Sequence, residues 1–199
     1  MPKPLLILAL LLPASGAALA AQTDYYVRVG AVGASNLLRD AIVSEITVRQ
    51  SIAPMVALGA SLPFARGYRA GLEATLASGS YHSDDNGVET DLGTLRTGSL
   101  LLGLEGPVTS RVRWRAGLGA LLYWPADETG IFQQGGATRF LAGAGADWRR
   151  PVHARWDVIA SVRYDFHRFT TDELRSRGFS NAQAVSRVSL SIGLARSPR

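Results

Sequence analysis

Apolar and polar residues take turns along most of this chain. Between 111 and 124, Val112, Trp114, Ala116, Leu118, Ala120, Leu122 and Trp124 share one parity, and Arg111, Arg113, Arg115, Gly117, Gly119, Leu121 and Tyr123 share the other. Successive side chains of a strand point to opposite faces, so a period of two predicts a strand whose faces meet different surroundings. Segment 155–167 repeats the design, with Trp156, Val158, Ala160, Val162, Tyr164 and Phe166 against Arg155, Asp157, Ile159, Ser161, Arg163, Asp165 and His167. Weaker copies fill the rest. The pattern predicts eight strands, near 24–33, 45–63, 67–80, 94–106, 110–124, 138–149, 154–168 and 184–195. The second runs through Pro54, which lacks a backbone donor, so a bulge or bend is expected there.

The connections alternate between short and long. Ala65-Arg66-Gly67, Gly106-Pro107-Val108-Thr109 and Arg150-Pro151-Val152-His153 read as tight turns, punctuated by Gly or Pro. Longer polar segments lie near 34–44, 81–93, 125–137 and 169–183. Short turns at one end and long loops at the other describe an up-and-down antiparallel barrel. The N-terminus reads as an address. Lys3 precedes an apolar run over 5–12, and Ala18-Leu19-Ala20 has the small-x-small form of a cleavage site, so residues 1–20 are expected to be a signal peptide cut after Ala20. The barrel domain then occupies 21–199.

Alternation alone does not say which face is outside. Aromatic placement does. On the apolar face, Tyr25, Phe64, Tyr68, Trp114, Trp148 and Trp156 fall at the short-turn ends, and Trp124, Phe140, Tyr164 and Phe166 at the long-loop ends. Two such girdles are expected where amphipathic rings sit at the two lipid–water boundaries. Trp114 and Trp124 are ten residues apart, and a tilted strand of that length rises roughly 25 Å, the height of a lipid-facing band. The opposite face gathers Gly and Ser with Arg28, Arg69, Arg113, Arg115, Arg139, Arg155, Arg163 and Arg187, and with Glu73, Glu105, Asp147, Asp157 and Asp165. Eight strands enclose a lumen just wide enough for packed side chains, so these charges are expected to pair inside it. The predicted fold is an eight-stranded transmembrane β-barrel with a polar, plugged lumen.

Composition narrows the partners. The chain has 199 residues, no cysteine and a net charge of +5. Disulfide scaffolds and thiolate metal sites are excluded. The arginines are scattered singly rather than gathered in a patch, which argues against nucleic acid. From signal peptide, strand count, girdles and turn lengths, residues 22–196 resemble the small eight-stranded outer-membrane barrels of the OmpA and OmpX type found in Gram-negative cell envelopes. The resemblance implies location in the cell outer membrane, monomeric state, contact with membrane lipid and lipopolysaccharide, and handling by the outer-membrane assembly machinery. Such proteins usually end on an aromatic residue; this chain ends Leu194-Ala195-Arg196-Ser197-Pro198-Arg199.

Some barrels of this architecture modify lipid A. The segment Phe179-Ser180-Asn181-Ala182 is similar to the His-x-Ser-Asn pattern of the deacylase type, but Gly178 stands in place of the histidine and no acid follows. A serine without a base is not activated. Tyr81-His82-Ser83-Asp84-Asp85 has the residue types of the palmitoyltransferase type, yet immediate neighbours on a strand point different ways. His167 is expected near Asp165 and Arg163 in the interior network, and His153 in a turn. Asp84, Asp85, Glu89 and Asp91 crowd segment 83–91 without a calcium-loop spacing, and Gly135-Gly136 precedes no helix that would cradle a phosphate. No catalytic, cofactor or metal site is therefore expected. The expected role is structural or interactive, with exposed loops meeting lipopolysaccharide or external partners. A lipid A-modifying hydrolase or acyltransferase and an exported soluble lipocalin-like barrel are the alternatives.

Overall fold

The computed structural model describes residues 22–40, 46–128, 130–133, 135–176 and 181–197. The expected signal peptide and Ser180 lie outside them. Ten strands are present: β1 (Asp24–Ala34), β2 (Leu38–Asp40), β3 (Ile46–Gln50), β4 (Ala53–Ala65), β5 (Tyr68–Asp85), β6 (Val88–Pro107), β7 (Val112–Pro125), β8 (Ala137–His153), β9 (Trp156–Phe169) and β10 (Gln183–Arg196). A single 3-10 turn spans Gly130–Phe132 and a short helix, α1, spans Asp172–Ser176. Eight strands form the ring β1-β4-β5-β6-β7-β8-β9-β10, every pair antiparallel, and β10 closes back on β1 from Tyr25↔Arg196 to Ala34↔Arg187. Closure leaves the ring with no free edge, the condition for crossing a membrane with strands.

The expected second strand is two pieces. Its line breaks at Ser51-Ile52, two residues before Pro54, so that β4 pairs with β1 while β3 pairs with the far end of β5. Strand β2 adds to the free side of β3. The expected loop at 81–93 is instead a hairpin that carries β5 and β6 beyond the ring. Its two-residue turn is Asn86-Gly87, with φ of 50° and 85°. That left-handed pair matches the twist of the flanking strands and suits Asn-Gly. The expected turn at 150–153 is also corrected. Strand β8 continues through His153, past an irregularity between Pro151 and His153, and the chain turns at Ala154-Arg155.

The two faces are sorted as the aromatic girdles predict. Outward positions hold exposed apolar side chains such as Leu102 (68% exposed), Phe140, Leu190 and Leu76. Inward positions bury Arg28, Glu73, Asp147 and Asp165. This is the reverse of a soluble lipocalin-like barrel. Tyr25, Phe64, Tyr68, Trp124, Phe140, Trp148, Trp156, Tyr164 and Phe166 are exposed on the outer wall, while Trp114 is half-buried against Tyr68, ring centroids 6.4 Å apart.

Inside, the lumen has two compartments. The half toward the short turns is charged. The half toward the long loops is apolar, which the expectation of a polar interior missed. Tyr81, Leu95, Leu101, Leu121, Tyr123, Leu141 and Phe169 point in from the wall, and Leu37, Phe132 and Leu174 descend from the loops to meet them. Phe132 packs edge-on against Tyr81 and Phe169 and tilted against Tyr123, at centroid distances of 5.8, 5.9 and 6.0 Å. Folding the loops inward removes this apolar surface from water, so the loop end is closed by a small hydrophobic core of its own.

Candidate functional site

The charged compartment is built from inward positions of seven strands. Glu73 of β5 is its centre. It pairs with Arg28 of β1 and Arg163 of β9, lies 2.8 Å from Arg115 of β7, and accepts a 2.6 Å hydrogen bond from the Tyr26 hydroxyl. Arg28 and Arg115 also face Asp147 at 3.4 and 3.3 Å, Ser161 donates to Asp147 at 2.6 Å, and Arg163 pairs with Asp165 at 2.9 Å. Tyr26 enters because Gly59 is opposite: a Cβ there would lie 2.1 Å from the tyrosine Cζ. Nearer the short turns, Asp24 binds Arg149 at 2.9 Å and Arg69 at 3.3 Å, and Glu105 meets Arg69, Arg149 and Arg113 at 3.4 to 3.8 Å. The void between Tyr26, Glu73, Glu105, Arg115 and Arg163 holds only about 40 Å³, room for a few waters. A conduit needs a continuous wet path, and this lumen is filled by ion pairs below and side chains above.

Of the expected lumen residues, Arg28, Arg69, Glu73, Glu105, Arg113, Arg115, Asp147, Arg163 and Asp165 join this network. Arg187 is buried and donates to Thr97 at 3.0 Å, and Asp157 accepts from Ser197 at 3.0 Å near the short-turn end. Arg155 is a correction: it is exposed in the turn between β8 and β9, one residue short of the strand. Arg139 is another, for it sits at the loop-side rim and donates to the carbonyls of Thr138 and Thr170 rather than to a carboxylate. Asp24, Tyr26 and Arg149 were not anticipated. Each shares parity with a lumen residue of its strand (Arg28 for the first two, Asp147 for Arg149), which is the signal that identifies them.

His167 belongs to the apolar cap, not to the charged network. Its Nε2 lies 2.7 Å from the Tyr123 hydroxyl. His153 is exposed. The acidic residues of the hairpin serve its turns: Asp84 accepts from the Gly87 amide and Asp91 from the Gly93 amide, each at 2.9 Å. Among the described residues no group of three or more His, Asp or Glu side chains is arranged to hold a metal. His82 does find serines, but not Ser83. Its Nε2 lies 3.2 Å from Ser51 Oγ and 3.2 Å from Ser80 Oγ, on the outer wall above the loop-side girdle.

No protein-family model matches the sequence, and no curated protein matches it either. Solved structures do match. Neisserial surface protein A superposes with a TM-score of 0.55 at 12% identity, over 88% of this chain and 96% of that one. The outer-membrane protein OprG of Pseudomonas aeruginosa gives 0.50 at 14% identity, over 88% and 95%, and the outer-membrane protein AlkL, solved in lipid bilayers, gives 0.51 at 12%, over 88% and 90%. The chain has the fold of the small outer-membrane barrels. With its apolar belt facing out and its charges enclosed, it is an integral membrane barrel of that type.

Proposed function

We propose that this barrel is an occluded outer-membrane anchor whose loop-side rim binds lipopolysaccharide headgroups. The observation that carries the reading is a set of outward arginines at and above the upper girdle. Arg96 pairs across the ladder with Trp124, and Arg168 lies two residues beyond Phe166 on the same face of β9. Both are exposed, and among the described residues neither has an ion pair. Every arginine of the charged compartment, by contrast, has a carboxylate partner. A cation left free where phosphate-bearing headgroups lie favours those phosphates as its partners. The sealed lumen supports an anchoring and contact role over transport.

The test is lipopolysaccharide binding by the refolded protein. Arg96→Ala and Arg168→Ala are each expected to weaken binding by up to about fivefold at low salt, the scale of one exposed ionic contact. Arg150→Ala, an exposed arginine at the opposite rim, is expected to leave binding unchanged. Equal affinity for all three variants and the parent protein refutes the reading.

A further inference from the structure

The outer wall of β5 and β3 holds a cluster that neither anchoring nor headgroup binding uses. Ser80 and His82 point outward from β5, with the buried Tyr81 between them pointing in. Strand β3 runs antiparallel alongside, pairing Arg49 with His82 and Gln50 with Tyr81. The break at Ser51 then matters. The Ser51 amide still donates to the Ser80 carbonyl at 2.9 Å, which delivers its side chain to the same outward patch. The Ser51 and Ser80 hydroxyls are 3.2 Å from each other, and each is 3.2 Å from His82 Nε2. On the other side of the ring, Nδ1 faces Asp91 Oδ1 at 3.8 Å and Glu89 Oε1 at 3.9 Å, both carried by the β6 arm of the hairpin.

The charges around His82 favour one direction for this chain of groups. Glu89 is itself paired with Arg49, the β3 residue beside His82, at 3.2 Å, so Asp91 is the carboxylate left to favour the proton on Nδ1, the tautomer that turns the Nε2 lone pair toward the serines. In that tautomer Ser51 donates to Nε2 while accepting from the Ser80 hydroxyl. Nucleophile, base and orienting acid are thus in sequence, and histidine–carboxylate contacts of this length tighten when a substrate displaces water. The surroundings point to a substrate. Below the cluster, on the same outer wall, Val29, Pro54, Val56, Leu76 and Trp124 form an open apolar surface bordered by Arg96. It suits one acyl chain, with an anionic head at the arginine.

From this geometry we propose that Ser51 and His82, positioned by Asp91, form a serine esterase site for acyl esters of anionic membrane lipids. Ser51 Oγ attacks the ester carbonyl carbon while His82 Nε2 takes its proton. The bond from that carbon to the alcohol oxygen breaks, and His82 returns the proton to the departing oxygen. Water then attacks the acyl-serine through the same relay, releasing a fatty acid and restoring Ser51. The Ser80 hydroxyl, adjacent to Ser51, turns to the carbonyl oxygen as negative charge develops there. The proposal rests on the rim lying at headgroup depth but not on affinity for lipopolysaccharide, so the two readings can fail separately.

The experiment is covalent labelling of the refolded full chain by a fluorophosphonate, with folding confirmed by the gel shift between unheated and boiled samples. Labelling is expected on Ser51, absent in Ser51→Ala, and slowed at least about a hundredfold in His82→Ala, the scale of a lost general base. Asp91→Asn is expected to slow labelling and shift its pH profile, which a purely structural role would not do. Ser83→Ala is expected to label like the parent. Phosphatidylglycerol vesicles with the parent protein should release free fatty acid. Failure of the folded parent to label, or label that persists in Ser51→Ala, overturns the site; labelling without fatty acid release overturns the lipid ester as its substrate.

Discussion

Replacing Glu73 by glutamine tests whether the lumen is held together by charge. Glu73 is 3% exposed and serves three guanidinium groups and the Tyr26 hydroxyl. Around it, Arg28, Arg115 and Arg163 are balanced by Glu73, Asp147 and Asp165. The amide keeps the shape and still accepts from Tyr26, but it leaves one buried positive charge in excess. Removing one partner of a buried pair costs about 3–5 kcal/mol. Each guanidinium here keeps a second carboxylate, Asp147 for Arg28 and Arg115 and Asp165 for Arg163, so the expected loss is at the lower end, about 3 kcal/mol. With a urea dependence of about 1–3 kcal/mol per molar, the unfolding midpoint should fall by about 1–3 M. Tryptophan fluorescence of the protein in lipid vesicles, together with the gel shift of the folded form, reads that midpoint. Adding Arg115→Met to Glu73→Gln restores neutrality, and the double variant should be more stable than the sum of the single losses by at least about 1 kcal/mol. A loss under about 0.5 kcal/mol for Glu73→Gln, or strict additivity in the double variant, refutes the account.

Three further outcomes follow from the same structure. Leu102→Arg, near mid-belt on β6, should cost about 2–4 kcal/mol in vesicles, while Val108→Arg beyond the girdle should cost about 0–1 kcal/mol; equal costs would remove lipid from the outer face. Gly59→Val should displace the Tyr26 ring and lower stability by about 1–3 kcal/mol, and Tyr26→Ala in the same chain should recover part of that loss, as read from urea midpoints. Phe132→Ala should raise amide exchange at Ile131 and Leu174 by roughly a hundredfold, because a deleted buried ring costs at least about 3 kcal/mol locally. Amides beside Glu73 and Asp147 should keep their protection.

The barrel was legible because lipid and lumen make opposite demands on adjacent positions. Leu100, Leu102 and Leu104 had to be apolar, and Glu73, Arg115 and Asp147 had to find partners, so parity alone assigned them. Parity fails where that contrast ends. Past Tyr81 the hairpin leaves the lumen and its positions are exposed or only partly covered on both faces, so 82–91 shows no alternation, and only the Asn86-Gly87 pair betrays the hairpin. The apolar cap was missed for the opposite reason. Tyr81, Tyr123 and Phe169 stand at lumen positions and look like exceptions until the loops bring Leu37, Phe132 and Leu174 down on them. The Ser51–His82 contact depends on a break in one strand and on pairing across 31 residues. Local spacing around His82 pointed instead at Ser83, which faces the other way.

The pairing of β10 with β1 carries a last consequence. Tyr25 stands beside Arg196, so the first and last barrel strands begin and finish at the same rim, one ladder spacing apart. A cylinder stitched in this manner has no privileged seam. A short linker joining residues 197 and 22, with new ends cut at Asn86-Gly87, would give a circularly permuted chain with every ladder intact, and it should reach the same cylinder.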